Sequence, residues 1–454
     1  MNIITKAERF VNEIYLSNKK TVIITIDLFI EFCYNANCKN VSNRNRVKNL
    51  KYLIMLGDGM ADNEIAVLGK KTPLEAANKP TMNYLSSKGF NGLVETVPEG
   101  MVPESDTANL AVMGYDPRLY SKGRSPLEAA SMGIKMADNE TAIRANIVAL
   151  GGNGEYEDLI MLDHSSDEIP TEEARILIDA VQEKFGNDFL KFYCGISYRH
   201  CLIWKDCPEF NDFSRPHDII GRRIGDYLPK SESSRPMREL MKASYEFLNN
   251  HPLNIEREAR GLKKANSIWL WSPGKKPSLP SFAEKTGLKA SVICAVDLIK
   301  GIGLCAGMSV PYVEGATGAA ETDYKAKRDA AINEFKNGSE LVYIHVEAPD
   351  ECGHQGKVWE KIKAIENIDN DILKGVLEYL DSTGEPYRVL LLPDHPTPIS
   401  ERTHTRAPVP FVIYDSECIR ENGDLIYCEK TARASNFMLD KGEKLIDLLI
   451  GGIK

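Results

Sequence analysis

Lys51-Tyr-Leu-Ile-Met-Leu-Gly-Asp58, Leu341-Val-Tyr-Ile-His-Val-Glu-Ala-Pro-Asp350 and Arg388-Val-Leu-Leu-Leu-Pro-Asp394 share one pattern: an apolar run that ends in an acidic residue. Residues apolar at consecutive positions are buried on both faces, which marks the strands of a parallel sheet. Two of the runs bring histidines with them: His354 follows Asp350, and His395 and His404 follow Asp394. In an open α/β sheet, ligands bind outside the carboxyl ends of the strands. Three carboxylates and three imidazoles delivered to that edge predict a site for two divalent metal ions. Carboxylate mixed with imidazole suits Mn, Zn, Co or Fe rather than Ca.

Outward from these runs, strand and helix patterns alternate from about residue 50 onward, which predicts an α/β sheet. Gly92–Val97 reads as a strand, Thr72–Asn78 and Thr81–Gly89 as a helix ending at Gly89, and Pro103–Gly114 as a loop entering a helix. Residues 120–282 differ in texture, with more Asn, Glu and Pro and shorter apolar runs. Within them Ala142–Leu150, Leu159–Leu162 and Cys201–Trp204 read as strands, Thr171 as the cap of a helix, and Ser272–Ser281 as a Pro/Gly-rich hinge. Strand and helix signals then resume at Ala290–Val296, Lys325–Asn337 and Val358–Leu380. The metal-type residues all lie outside the middle segment. The expected organisation is a discontinuous metal-binding catalytic domain over 50–119 and 283–454, with an inserted cap over 120–282. Residues 1–49 read as an extension of unassigned role. In it, Lys19–Cys33 is an apolar strand or short helix and Asn40–Asn49 a polar linker.

Composition excludes several classes. With 454 residues, 43% hydrophobic and 27% charged, the chain is an ordinary globular protein with room for a large core. A net charge of −9 does not favour nucleic acid or acidic lipid as partners. The apolar runs are shorter than the roughly 18 residues of a membrane span. The ten cysteines include no CxxC pair, so reduced thiols and a cytoplasmic location are expected.

Each chemical feature also has an ordinary reading. Asp350 and His354, four apart, are by themselves a common surface pair. Gly-Asp58-Gly is a frequent turn, although its glycines also permit close approach. Ser105, in Glu104-Ser-Asp-Thr-Ala-Asn109, is by itself most simply a helix N-cap. Taken together they read as one site. A helix start offers free N–H groups to a phosphate, and a metal beside Ser105 makes it a nucleophile. No Gly-x-Ser-x-Gly, Walker A or glycine-rich kinase loop is present.

The segments Leu56–Asp62, Pro103–Asp116, Gly123–Gly133, His345–His354 and Leu392–Ile399 resemble the cofactor-independent phosphoglycerate mutases, most closely their archaeal-type branch, within the alkaline phosphatase superfamily. The resemblance covers about residues 50–450. It implies an alkaline-phosphatase-like, mostly parallel sheet flanked by helices, with a smaller α+β cap domain inserted. It further implies that Asp350, His354 and His404 hold one ion, that Asp58, Ser105, Asp394 and His395 hold the other, and that Ser105 is phosphorylated. The ions would be Mn, or else Zn or Co, and 2,3-bisphosphoglycerate would not be needed. In the cap, Arg199 and His200 would contact substrate, with Arg144 and Asp163 beside them. Arg257, Lys275 and Lys300 would supply further cations. The implied activity is interconversion of 3- and 2-phosphoglycerate in glycolysis and gluconeogenesis, by a monomer or small homo-oligomer acting on a small phosphorylated acid. Relatives with the same Val-Glu-Ala-Pro-Asp wording are proposed homoserine kinases. The same core would also suit a metal-dependent phosphatase, a phosphopentomutase-like enzyme or a metal-binding scaffold that has lost catalysis. Trp271-Ser-Pro-Gly-Lys275 departs from the glycine- and glutamine-like turn expected of the family at that point.

Overall fold

The computed structural model describes residues 50–121 and 123–452; the readings made for residues 1–49 lie outside them. Seven strands form the larger sheet: β1 (Lys51–Gly57), β2 (Phe90–Val94), β8 (Ala290–Ile293), β9 (Leu341–Val346), β10 (Tyr387–Leu392), β11 (Val409–Asp415) and β12 (Met438–Leu439). Their order is β12-β2-β11-β10-β1-β9-β8. β10, β1, β9 and β8 run parallel, and β11 is antiparallel to both its neighbours. This is a mostly parallel sheet flanked by helices, as expected.

The three apolar runs are the adjacent strands β10, β1 and β9. Leu56 pairs with Leu392 on one side and with His345 on the other. That register sets Asp58 level with Asp394 and brings the turn after β9 to the same edge. One face of the sheet, carrying Leu53, Met55, Val342, Ile344, Val346, Val389 and Leu391, packs on the helical stretch 358–383. Side chains alternate between faces along a strand, so Tyr343 and His345 point the other way. On that side Tyr343 reaches Asn109, in the helix Ser105–Val112.

The second sheet is β3 (Glu140–Gly151), β4 (Ile160–Asp163), β5 (Leu190–Tyr193), β6 (Arg199–Lys205) and β7 (Ser267–Lys275), all antiparallel about β3 or β6. It has its own core, including Ile143, Ile147, Leu202, Trp269 and Trp271. The described residues from Lys51 onward nevertheless form one compact unit. The boundaries 50–119, 120–282 and 283–454 therefore remain proposed divisions within it.

Several local readings need correction. The helix expected over residues 72–89 is two, Pro73–Ala76 and Pro80–Lys88, because Pro80 starts a new helix. Gly89 ends the second without a left-handed φ. A Cβ there would sit 2.7 Å from the carbonyl oxygen of Ile413, so close approach requires the glycine. Thr171 does not cap its helix; its hydroxyl accepts the Ser197 N–H at 3.0 Å instead. Ser272–Lys275 is the end of β7, not a hinge. Strand β11 was not legible, because Pro410 argues against a central strand. It sits there because β10 pairs with β11 only from Val412 onward, leaving Pro410 beside β2 alone.

Candidate active site

The turn after β1 is tight. Gly59 has φ 63°, and a Cβ on it would lie 2.7 Å from the Asp350 Cα. Glycine is the residue that accepts this backbone and this approach. The Gly59 and His395 N–H groups both donate to Asp394 Oδ1, at 3.1 and 2.8 Å. Asn109 donates to Asp394 Oδ2 at 2.9 Å and to the Ser105 carbonyl at 2.8 Å, tying the helix that begins at Ser105 to the end of β10. Ser105 is the first helical residue rather than the cap, which is Glu104, and its Oγ lies 3.3 Å from His395 Nε2.

Two donor atoms bound to one ion at about 2.1 Å and roughly 90–110° apart lie about 3.0–3.4 Å from each other. Five donor pairs of the site lie within or near that range. His354 Nε2 is 3.2 Å from Asp350 Oδ2 and 2.9 Å from His404 Nε2, and His404 Nε2 is 3.4 Å from Asp350 Oδ1. His395 Nε2 is 3.5 Å from Asp394 Oδ2 and 3.7 Å from Asp58 Oδ1. The buried oxygens of Asp58 have no hydrogen-bond partner among the described residues. Burial, and then the charges of Asp394, Asp350 and Glu347, push its carboxyl well above the usual range. A buried carboxylate beside two others calls for a cation, so the donor set fits divalent metal. Mutually close donors form three overlapping groups: Asp350, His395 and His404; Asp58, His345 and Asp394; and Asp58, Glu347 and Asp350. His395 thus lies between the two sets, its ring stacked on His404 with centroids 4.0 Å apart.

The orienting contacts are equally specific. His404 Nδ1 faces the Pro103 carbonyl at 2.8 Å, and His354 Nδ1 faces that of Arg402 at 3.0 Å. Such outer contacts fix the tautomer of a ligating histidine. The Thr397 hydroxyl donates to Asp350 Oδ1. Behind it, the fully buried Lys361 ammonium donates to the Thr397 carbonyl at 2.8 Å and pairs with Asp62 at 2.7 Å.

The profile of the family described as 2,3-bisphosphoglycerate-independent phosphoglycerate mutase matches residues 86–254. A protein of Geobacter sulfurreducens, named as a probable mutase of this kind, is 45% identical over 88% of this chain and 100% of its own length. The mutase of Methanosarcina barkeri is 44% identical over 88% of this chain and 99% of its own. This chain belongs to the 2,3-bisphosphoglycerate-independent phosphoglycerate mutase family. Among solved structures, a Pyrococcus horikoshii protein covers 89% of this chain and 99% of its own at 26% identity and TM-score 0.73. The cofactor-independent phosphoglycerate mutase of Thermoplasma acidophilum shares the fold, at 23% identity and TM-score 0.60 over 88% of this chain and 99% of its own.

The substrate-binding residues expected of this mutase-family chain separate into three kinds. Arg199 and Lys275 are exposed cations with no ion-pair partner among the described residues. Arg144 lies over the Trp271 ring at 4.4 Å while pairing with Glu128. Arg257, Lys300, Asp163 and His200 are placed otherwise than expected. Arg257 is 1% exposed, pairs with Glu173, and donates to the Ser166 and Lys263 carbonyls at 2.7 and 3.0 Å, so its donors are engaged in internal bracing contacts. Lys300 pairs with Asp297 at 3.2 Å on its own helix. Asp163 closes its own loop, accepting the Ser165 and Asp167 N–H groups and Lys263. His200 follows Arg199 in β6, so the two point to opposite faces. It is buried, its Nδ1 accepts the Gly195 N–H, and burial lowers it to about 3. Sequence reasoning missed His345, Glu347, Asn109, Thr397 and Arg215. Arg215 lies 3.5 Å from Glu104, the residue before Ser105. A polar residue inside the apolar run of β9 was the available signal for His345.

Proposed function

We propose that this protein interconverts 3-phosphoglycerate and 2-phosphoglycerate without 2,3-bisphosphoglycerate, through a phosphoserine on Ser105. The supporting observation is the placement of Ser105, at a helix start and 3.3 Å from His395 within a cluster of carboxylates and imidazoles, in a chain 44–45% identical to full-length relatives named as mutases of this kind. Asp350, His354 and His404 would hold one divalent ion, and Asp58, Ser105, Asp394 and His395 the other. Bound there, the two ions, Mn or else Zn or Co, would neutralise phosphoryl charge and lower the pKa of the Ser105 hydroxyl.

The Ser105 oxygen attacks phosphorus in line, forming the Oγ–P bond as the bond from phosphorus to the C3 oxygen breaks. The released C3 alkoxide takes up a proton, matching the one that the Ser105 hydroxyl gives up, and glycerate stays bound. The N–H groups of the first helical turn face the transferred phosphoryl group. Glycerate then turns, and its deprotonated 2-hydroxyl attacks the phosphoserine, returning Ser105. Water must stay out meanwhile, or the phosphoserine hydrolyses. The small sheet would serve as the cover, with Arg199 and Lys275 gripping the acid. The test is incubation of metal-loaded protein with 3-phosphoglycerate labelled with 32P. Label on Ser105 and in 2-phosphoglycerate is expected; inorganic phosphate as the sole labelled product would replace the mutase by a phosphatase.

A further inference from the structure

We infer that His345 is a ligand of the Asp58–Asp394 ion, a role for strand β9 beyond the donors assigned above. The inference rests on the two-ion reading. His345 is fully buried, and neither ring nitrogen has a hydrogen-bond partner among the described residues. A buried polar group left in that state is costly and rare. Its Nε2 lies 3.1 Å from Asp58 Oδ2, yet the two atoms are not aligned as donor and acceptor. Two donors that approach without bonding, at the edge length of a coordination polyhedron, converge on a third atom between them. The ligand atoms of Asp58, His345 and Asp394 all lie within 4.8 Å of one another.

The backbone makes this placement rigid. His345 pairs with Leu56 in the sheet centre, one residue before the strand end. Alternation along β9 puts its ring on the same face as Tyr343, whose hydroxyl donates to Asn109, the residue that holds Asp394. A ligand on a central strand contributes more positional precision than one on a loop. The ion at Asp58 would therefore be held by two carboxylates and an imidazole from three neighbouring strand ends, with Ser105 completing it from the helix side and His395 from beside Asp394.

The test is metal content after dialysis, with Co(II) titration followed by visible absorption, for wild type, His345→Asn and His345→Ala. Wild type is expected to retain two ions. The variants should retain one and bind the second at least tenfold more weakly, since even outer-sphere losses cost about 10- to 100-fold. A folded His345→Asn protein with two ions at unchanged affinity would overturn the inference while leaving the two-ion reading intact. Wild type that binds fewer than two ions would overturn both. Should neither variant fold, wild type carrying 15N-labelled histidine is titrated with Zn. Perturbation of four ring systems (His345, His354, His395 and His404) is expected, and an unperturbed His345 would refute the assignment.

Discussion

Replacing Lys361 by methionine removes the ammonium that stands behind the proposed metal-binding edge. Lys361 and Asp62 are 0% and 1% exposed and 2.7 Å apart. Removing one member of a buried pair costs about 3–5 kcal/mol, because the other charge is left uncompensated. Asp62 would keep N–H donors from Asn63 and Ile399, which lowers the cost. The Thr397 carbonyl would lose its charged donor, which raises it. The net expectation is about 4 kcal/mol, roughly a thousandfold in the folding constant. Urea unfolding followed by circular dichroism measures it. The double change Asp62→Leu with Lys361→Met should recover more than half, since well-packed apolar replacements of buried pairs are often neutral. Thr397 also holds Asp350, so the single variant should bind metal more weakly. A loss below about 1 kcal/mol would refute the reasoning, by showing that the pair is not desolvated as its burial implies.

Three further outcomes are expected. Gly59→Ala forces a Cβ to 2.7 Å from the Asp350 Cα at φ 63°; it should lower both thermal stability and metal retention, measured on the same preparation. Asp163→Asn removes a carboxylate that partial burial pushes up but that the Ser165 and Asp167 N–H groups and Lys263 pull down further. Its folded pKa is depressed, so its contribution of about 1–2 kcal/mol is present above the unfolded value near 3.9 and lost as pH falls through the folded one. The deficit of the variant should therefore be full at pH 7 and shrink in strong acid, as read by urea unfolding at each pH. His354→Ala should bind one ion fewer than wild type by elemental analysis; unchanged two-ion content would remove it from the ligand set.

The carboxylate-lined edge of the sheet was legible because buried central strands announce themselves as unbroken apolar runs that end here in acidic residues. β1, β9 and β10 are found where they read, and their register delivers Asp58, Asp350 and Asp394 together. The glycines beside Asp58 were legible for the same reason: the close approach they permit is real. The cap cations were less so. Sequence shows that Arg257 and Lys300 are charged but not that Glu173 and Asp297 occupy them, because those pairings depend on tertiary packing. Arg199 and His200 are neighbours in sequence, and strand pleating sends them to opposite faces. His345 escaped notice as a donor because it sits inside its strand rather than after it.

Phosphoryl transfer through Ser105 onto a glycerate acid is read from conversion of 3-phosphoglycerate to 2-phosphoglycerate by Mn-loaded protein in the absence of 2,3-bisphosphoglycerate, beside Ser105→Ala at equal metal content. Robust conversion by wild type and none by the variant is predicted. No conversion by wild type with both ions bound would contradict the mutase reading and turn the search to homoserine with a phosphoryl donor. Conversion that survives Ser105→Ala would contradict the phosphoserine.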